Sequence, residues 1–275
     1  MTSYLDIFDL HTGSTTRVLE TDRHIEAPNW APDGTWLLVN GGGRLFRVPF
    51  DGPELQEIDT GFADRCNNDH GISADGQTII LSHHTEDGPL IYTVPVSGGT
   101  PTLITPEPRC YWHSWSPDGT RIAYTAKRGG IFGISTCALD GSDERRLTPS
   151  KGFSDGPDYT ANGEWIWFNG ELDTTMQLWR VRPDGSDLEQ MTEDERVNWF
   201  PHPNPVTGEV LYLAYESGTE GHPPEREVEL RLLEPDTGEK RTLISLFGGQ
   251  GTINVPCWSP DGGRFAFMHF SRPKG

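Results

Sequence analysis

Short runs of apolar and aromatic residues, separated by glycine-containing turns, follow one another along the whole chain. One phrase recurs six times: an extended segment with a small or aromatic centre, a turn that ends in Gly, and an apolar strand. Its occurrences are residues 28–34, 70–76, 113–119, 157–163, 201–208 and 256–262. Most of these turns are Asp-Gly or Asn-Gly, pairs that tolerate the positive φ of a tight hairpin, so each phrase predicts two antiparallel strands.

The turn glycines are spaced by 42, 43, 44, 45 and 54 residues, and a second strand-turn-strand unit alternates with the phrase. The first second-type unit, at 4–20, precedes every phrase, while the chain ends after the sixth phrase. This pattern predicts an all-β, six-bladed β-propeller with four antiparallel strands per blade, formed by a single domain over residues 1–275. The N-terminal strand pair completes the last blade. A pair of β-sandwiches is the structural alternative, but it gives no reason for near-constant spacing.

The net charge of the chain disfavours two classes of binding partner. The chain has 22 Lys and Arg against 41 Asp and Glu, a net charge of −19, which disfavours nucleic acid and anionic membrane surfaces. No apolar run is long enough to insert into a membrane. The first residues contain no basic segment before an apolar stretch, which predicts a cytoplasmic protein, or a periplasmic one if a signal peptide was removed before this numbering. The four scattered cysteines are expected to be reduced thiols.

Polar and aromatic residues concentrate on one face of the predicted propeller. The loops from each outermost strand to the next innermost strand share this face with the loops between the second and third strands of each blade. The opposite face consists of simple glycine turns. The candidate ligand-binding residues on the first face are Glu26, Asn67, Asn68, Tyr111, Trp112, Asp158, Asn198, Trp199, His222, Gln250 and Asn254. Such a group at a channel mouth predicts a ligand site.

Three histidines of this face suggest a metal or acid-base centre. His70, His113 and His202 hold similar positions in three blades, and three imidazoles suit Zn²⁺ or Mn²⁺. Asp69 and Asp155 are the candidate catalytic residues, as base or as groups that orient a ligand. The cofactor stays unknown from sequence; a divalent Mn, Zn or Ca ion is the candidate. The alternative is structural, since a histidine here can instead hydrogen-bond the backbone of the neighbouring blade.

The phrases Trp115-Ser-Pro-Asp-Gly119 and Trp258-Ser-Pro-Asp-Gly262 resemble the PD40, or WD40-like, repeat of the TolB family. This resemblance spans the chain and implies a six-bladed propeller that binds a partner. The favoured function is therefore a binding module for a carbohydrate-like small molecule or a protein segment at the channel mouth. Fold alone does not fix function. An interaction scaffold whose channel is plugged by Trp112 and Trp199 is one alternative.

A second, local resemblance supports an enzyme. Residues 69–76 and 199–203 resemble phrases of oligogalacturonate lyases, which implies β-elimination of acidic sugars with a manganese ion held by three histidines and a glutamine. On this comparison His70 and His202 match family histidines, while Phe200 stands where another ligand is expected. A metal-dependent lyase or hydrolase acting on acidic sugars is therefore the alternative activity.

Overall fold

The computed structural model describes residues 1–172 and 175–273. Its regular elements are β-strands arranged in six sheets, which confirms the all-β six-bladed propeller. In the described residues no helix is long and apolar enough to cross a membrane. The extent of the domain, residues 1–275, stays a prediction.

The strands follow the predicted order from the channel outwards. The chain begins with the hairpin β1 (Ser3–Asp9) and β2 (Ser14–Thr21), and blade 1 contains β3 (Glu26–Trp30), β4 (Trp36–Gly41), β5 (Arg44–Pro49) and β6 (Gln56–Ile58). Blade 2 contains β7 (Cys66–Ile72), β8 (Thr78–Thr85), β9 (Gly88–Pro95) and β10 (Thr102–Leu103). Blade 3 contains β11 (Cys110–Trp115), β12 (Arg121–Arg128), β13 (Ile131–Ala138) and β14 (Arg145–Arg146).

The remaining blades repeat this arrangement. Blade 4 contains β15 (Phe153–Tyr159), β16 (Ile166–Glu171), β17 (Gln177–Val181) and β18 (Glu189–Gln190). Blade 5 contains β19 (Val197–Pro203), β20 (Val210–Tyr215), β21 (Pro224–Leu233) and β22 (Lys240–Gly249). Blade 6 joins β23 (Arg264–Phe270) to the N-terminal hairpin in the order β2-β1-β23.

Blade 6 closes the ring with both ends of the chain, as predicted. Strand β1 pairs with β23 from Ser3↔Phe270 to Asp9↔Arg264. The innermost position of this blade is taken by residues 252–258, which contact β23 through the bridge Trp258↔Phe265 and through backbone hydrogen bonds from Ala266 to Cys257 and from Met268 to Thr252. The ends are further joined by Thr2, whose amide donates to Ser271 Oγ (2.8 Å). Closure removes the long open edges that an unclosed row of sheets would leave.

The repeated turn is held by its own side chains. In blade 3 the Ser116 hydroxyl donates to Asp118 Oδ1 (2.6 Å), and that oxygen also accepts from the Thr120 amide (3.0 Å). Gly119, at φ 69°, donates its amide to the Ser116 carbonyl (2.8 Å). The Ser-Pro-Asp-Gly sequence is therefore explained by turn chemistry.

Each innermost strand of blades 1 to 5 is interrupted by a β-bulge. The register shifts lie at Glu26/Asn29, Cys66/His70, Trp112/Ser114, Asp155/Asp158 and Trp199/His202. A bulge bends the strand and redirects the side chains around it. Two sets of positions lie around it: in these five blades the second residue of the phrase is buried within the propeller, whereas the residue two places before the phrase lines a cavity on the predicted site face.

The hydrophobic core lies between neighbouring blades. One cluster joins Leu38 and Leu45 of blade 1 to Ile79 and Tyr92 of blade 2. Polar bonds cross the same junctions: Asn29 in blade 1 donates to the Pro256 carbonyl of blade 6 (2.6 Å) and accepts from the Ile72 amide of blade 2 (2.9 Å). Because Asn29 is buried, it connects three blades where water does not satisfy their backbone groups.

We predict that Asn29→Leu lowers the free energy of unfolding by about 3 kcal/mol, because it leaves one buried amide and one buried carbonyl without partners. Urea denaturation followed by tryptophan fluorescence measures the loss. The control is Asp33→Asn in the exposed turn of the same blade, whose side-chain oxygen can still accept the local bonds. An Asn29→Leu protein as stable as this control would show that the inter-blade bonds contribute little.

Candidate functional site

A cavity of about 440 Å³ opens at the channel mouth on the face predicted from the loops. Its wall is formed by Asn67, Asn68, Asp69, His84, Tyr111, His113, Thr125, Phe132, Phe153, Asp155, Phe200, His222, Gln250 and Asn254. The volume lies within the range of small-molecule pockets. The structure thus brings many of the predicted residues together, from blades 2 to 5 and the segment before β23.

Two acids and one imidazole lie together in the polar part of the wall, and we call Asp69, His113 and Asp155 the acid–imidazole cluster. His113 Nε2 lies 3.2 Å from Asp155 Oδ1 and 3.9 Å from Asp69 Oδ1. His113 Nδ1 lies 3.3 Å from the Asn254 carbonyl, to which it can only donate. A hydrogen bond from Nε2 to Asp155 therefore requires the imidazolium form.

The pKa values in the cluster follow from this geometry. Burial opposes charge on His113, but the Asp155 hydrogen bond and both carboxylates raise its pKa. Burial also opposes charge on Asp155, yet the bonds and charge of His113, with help from Thr125, lower the pKa of Asp155. Asp69 differs: burial, with the nearby Asp155 charge, raises its pKa to about 7 against the attraction of His113. Asp155 therefore favours its ionised form, whereas Asp69 gains or loses its proton near neutral pH.

In each carboxyl group of the cluster, one oxygen is held in place by hydrogen bonds from neighbouring groups of the protein. Asp155 Oδ1 accepts from Thr125 Oγ1 (2.6 Å) and from the Gly156 amide (2.8 Å). Asp69 Oδ2 accepts from Asn67 Nδ2 (2.5 Å). Among the described residues, Asp69 Oδ1 and Asp155 Oδ2 accept no hydrogen bond, and neither is a fully buried atom. These two oxygens are therefore available to a ligand in the cavity.

Aromatic rings form a further part of the wall, and one of them, Phe200, stacks on His113 at a centroid distance of 6.5 Å. Tyr111, Phe132, Phe153, Trp199 and Phe200 follow one another with centroid separations of 6.1, 5.2, 6.0 and 5.6 Å, and we call them the aromatic wall. Trp199 lies behind the cavity, and the other four rings line it. Phe200 sits in the β19 bulge with φ 53°, a strained conformation for a bulky residue.

The insert between β20 and β21 brings His222 to the cavity. His222 Nε2 lies 4.0 Å from Asp155 Oδ2, and its ring contacts Trp199 at a centroid distance of 4.4 Å. Burial lowers the pKa of His222. The insert spans residues 216–223, because β20 ends at Tyr215 and β21 begins at Pro224.

Two further cavities adjoin the first. A groove of about 820 Å³, lined by Trp199 and the insert, shares Phe153, His222 and Gln250 with it. A smaller cavity of about 270 Å³ contains Glu26 and shares Asn67, Asn68 and Gln250. Gln250 borders all three spaces and is therefore the central residue of this face.

Other predicted site residues hold blades together. His202 Nε2 donates to the Ile253 carbonyl (2.6 Å), and its Nδ1 lies 2.9 Å from Asp158 Oδ2. Asn198 donates to Gln177, Thr192 and Asp194. Trp112 is buried in the core between blades 2 and 3. The structural interpretation fits these four residues, and none of them lines the cavity.

The three predicted metal ligands do not share an open site. Both ring nitrogens of His113 and of His202 face protein partners. His70 is fully buried, neither of its nitrogens makes a well-formed hydrogen bond, and burial lowers its pKa to about 4. Within residues 1–172 and 175–273, no three His, Cys, Asp or Glu side chains come together as a metal site. The metal therefore stays a prediction without support from the geometry.

Sequence reasoning left out four residues of the cavity wall: His84, Thr125, Phe132 and Phe153. His84, Thr125 and Phe132 lie in or beside the second and third strands, close to the loops that reach the site face. A search extended from the loops into the strand ends would have found them.

Comparison with known proteins agrees with this architecture. The family model described as PD40, TolB beta propeller domain, matches residues 2–196. The chain is 44% identical to the uncharacterized protein Atu1656 of Agrobacterium fabrum, over 98% of this chain and 93% of that protein. It also matches the structure of a candidate TolB from Agrobacterium tumefaciens with a TM-score of 0.96 and 44% identity, covering 98% and 99% of the two chains.

More distant structures share the fold alone. TolB from Acinetobacter baumannii superposes with a TM-score of 0.68 at 16% identity, over 90% of this chain and 64% of that one. An oligogalacturonate lyase in complex with manganese superposes with a TM-score of 0.58 at 14% identity, over 88% and 72%. These likenesses carry no information about the residues of the cavity.

We predict that His202→Ala lowers the free energy of unfolding by about 3 kcal/mol, because it leaves the buried Asp158 carboxyl group and the Ile253 carbonyl without their partner. Urea denaturation measures the loss, and His84→Ala, an exposed histidine of the same face, serves as the control. Mn²⁺ or Zn²⁺ should not change the difference between wild type and variant. A metal-dependent gain in stability that disappears in His202→Ala would instead restore the metal hypothesis.

Proposed function

We propose that this chain, which belongs to the TolB β-propeller family, is a binding module for a small molecule at the channel mouth. Membership of the family does not by itself fix an activity, because one fold carries many functions. The observation that carries the proposal is the 440 Å³ cavity, whose wall combines an aromatic face with a polar face. A ligand with one flat apolar side and several polar groups fits both faces.

The amide groups of the wall suit a ligand with hydroxyl groups. Asn67, Asn68, Gln250 and Asn254 offer donors and acceptors around the cavity, and the four rings offer apolar surface. A carbohydrate-like molecule, the class predicted from the sequence, is therefore one candidate ligand. A protein segment is the second candidate, favoured by the adjoining 820 Å³ groove with its apolar residues Met176, Val197 and Trp199.

The charge of the cavity does not favour the acidic-sugar lyase. Within the described chain, none of the residues that line the cavity is Lys or Arg. A carboxylated sugar would meet Asp69 and Asp155 without a basic side chain on the wall to neutralise it. We therefore rank binding ahead of β-elimination.

Cysteine chemistry favours a reducing location for this function. All four cysteines are unpaired and buried, and burial raises the pKa of the Cys66 thiol to about 12. Unpaired thiols are usual in proteins of the cytoplasm, which we propose as the location.

Gln250→Trp tests the binding site, because an indole at the junction of the three cavities fills the entrance. Isothermal titration is run with three probes: maltose, 2-phenylethylammonium and galacturonate. We predict that at least one probe binds the wild type saturably and that Gln250→Trp weakens its binding at least about tenfold.

Gln56→Trp is the matched control, since it makes the same substitution at an exposed position of the outermost strand of blade 1 and should retain binding. Thermal unfolding of both variants confirms the fold. If no probe binds, or if binding is equal in the two variants, the cavity is not the ligand site and the proposed function is wrong.

A further inference from the structure

Two carboxylate oxygens at the cavity accept no hydrogen bond from the described residues of the protein. Asp69 is 95% buried, yet its Oδ1 has no hydrogen-bond donor and its nearest ionic neighbour is His113 Nε2 at 3.9 Å. Asp155 Oδ2 has only His222 Nε2 at 4.0 Å. Neither oxygen is fully buried, and both belong to residues on the wall of the same cavity, so a ligand in that cavity can donate to both.

The formal charges of the acid–imidazole cluster leave one negative charge unmatched. Once Asp69 has ionised, above its pKa of about 7, the two carboxylates and a protonated His113 together carry −1. His222 is kept neutral by burial, which lowers its pKa, and within the described chain no Lys or Arg lines the cavity. One further positive charge from a ligand would therefore neutralise the site.

The aromatic wall suits the same ligand. The faces of aromatic rings attract cations at centroid distances within about 6 Å. Lys127 Nζ already lies 4.8 Å from the centroid of Phe132, so a ring of this wall accepts an ammonium group from the protein itself. Lys127 is not among the residues that line the cavity. The remaining rings, Tyr111, Phe153 and Phe200, can cover the hydrocarbon part of a ligand.

We propose that the ligand of the channel-mouth cavity is an organic cation: an aliphatic primary or secondary ammonium ion with an apolar body. This inference rests on the proposed function. Its N–H groups donate to Asp69 Oδ1 and Asp155 Oδ2, and its body lies against the aromatic wall. The chemistry of the wall thus selects a positively charged ligand over a neutral or acidic one of the same shape.

Three probes with one apolar body and different charges test this inference: 2-phenylethylammonium, 2-phenylethanol and 3-phenylpropionate. Isothermal titration at pH 8 should show the ammonium ion binding at least about tenfold more tightly than the alcohol, and no binding of the carboxylate. Equal or tighter binding of the alcohol or the carboxylate would overturn the inference.

The pH dependence has a definite sign. Asp69 is faced by His113, Asp155, Glu26, Asn67 and Tyr111, and in the free protein its pKa is raised to about 7. A bound cation favours the ionised carboxylate, so affinity is full above pH 7 and falls as the pH drops through that value. Between pH 8 and pH 6 the dissociation constant of 2-phenylethylammonium should rise about tenfold, following the ionised fraction of Asp69.

Asp69→Asn should abolish this pH dependence and weaken 2-phenylethylammonium at least about tenfold at pH 8. Asp64→Asn makes the same change of charge at an exposed position of the same blade and should alter neither property. If Asp69→Asn does not fold, loss of the ammonium preference in Asp155→Asn provides the same test. An ammonium affinity that is unchanged in a folded variant would overturn the inference.

The results separate the two proposals. If maltose binds in a manner sensitive to Gln250→Trp while the ammonium ion does not bind, the binding function stands and the cationic ligand is wrong. If none of the probes binds, both proposals fail.

Discussion

The bulge in the innermost strand is the constraint on which this propeller depends. An innermost strand has to line the channel and also join the next blade, although successive side chains of a regular strand alternate strictly between two faces. In blades 1 to 5 the register shift lies in the part of the strand where one task gives way to the other. The second residue of a phrase, such as Asn29 or His202, bonds to neighbouring blades, whereas the residue two places before the phrase, such as Tyr111 or Asp155, reaches a cavity.

This separation explains how far sequence could predict the molecule. The phrase is local, since its Asp-Gly turn and the alternation of its strands are set by nearest neighbours, so strand number and ring closure follow from counting. The bulge is not readable in the same way, because it depends on contacts between blades. Asp155 and Asp158 lie three residues apart in one segment, and sequence alone assigned both to the channel mouth, Asp155 as a catalytic residue and Asp158 as a ligand-binding one. In the structure Asp155 faces the cavity, while Asp158 faces His202 across a blade junction.

The same limit applies to the histidines. Imidazoles at similar positions of three blades suggested one metal centre, because the repeat implies equivalent surroundings. The surroundings differ: His113 lies between two carboxylates, His202 between a carboxylate and a carbonyl, and His70 among groups that give its ring no well-formed bond. Equivalent positions in a repeat fix where the backbone runs, but the chemistry of a side chain is decided by residues of other blades. Those residues are distant in sequence.

The free-energy cost of burying the acid–imidazole cluster is itself an argument about function. Burying two acids beside one imidazole disfavours the folded state unless every charge is matched. Asp155 and His113 are matched by fixed bonds, and Asp69 is instead held near the point of protonation. Thr125, Gly156 and Asn67 already hold the carboxyl groups of Asp155 and Asp69 in place. A ligand that supplies the missing positive charge therefore needs little rearrangement of the wall, and less of its binding free energy is lost to ordering side chains. A net charge of −19 also raises the local concentration of cations around the protein. The local cluster and the overall charge therefore favour the same sign of ligand.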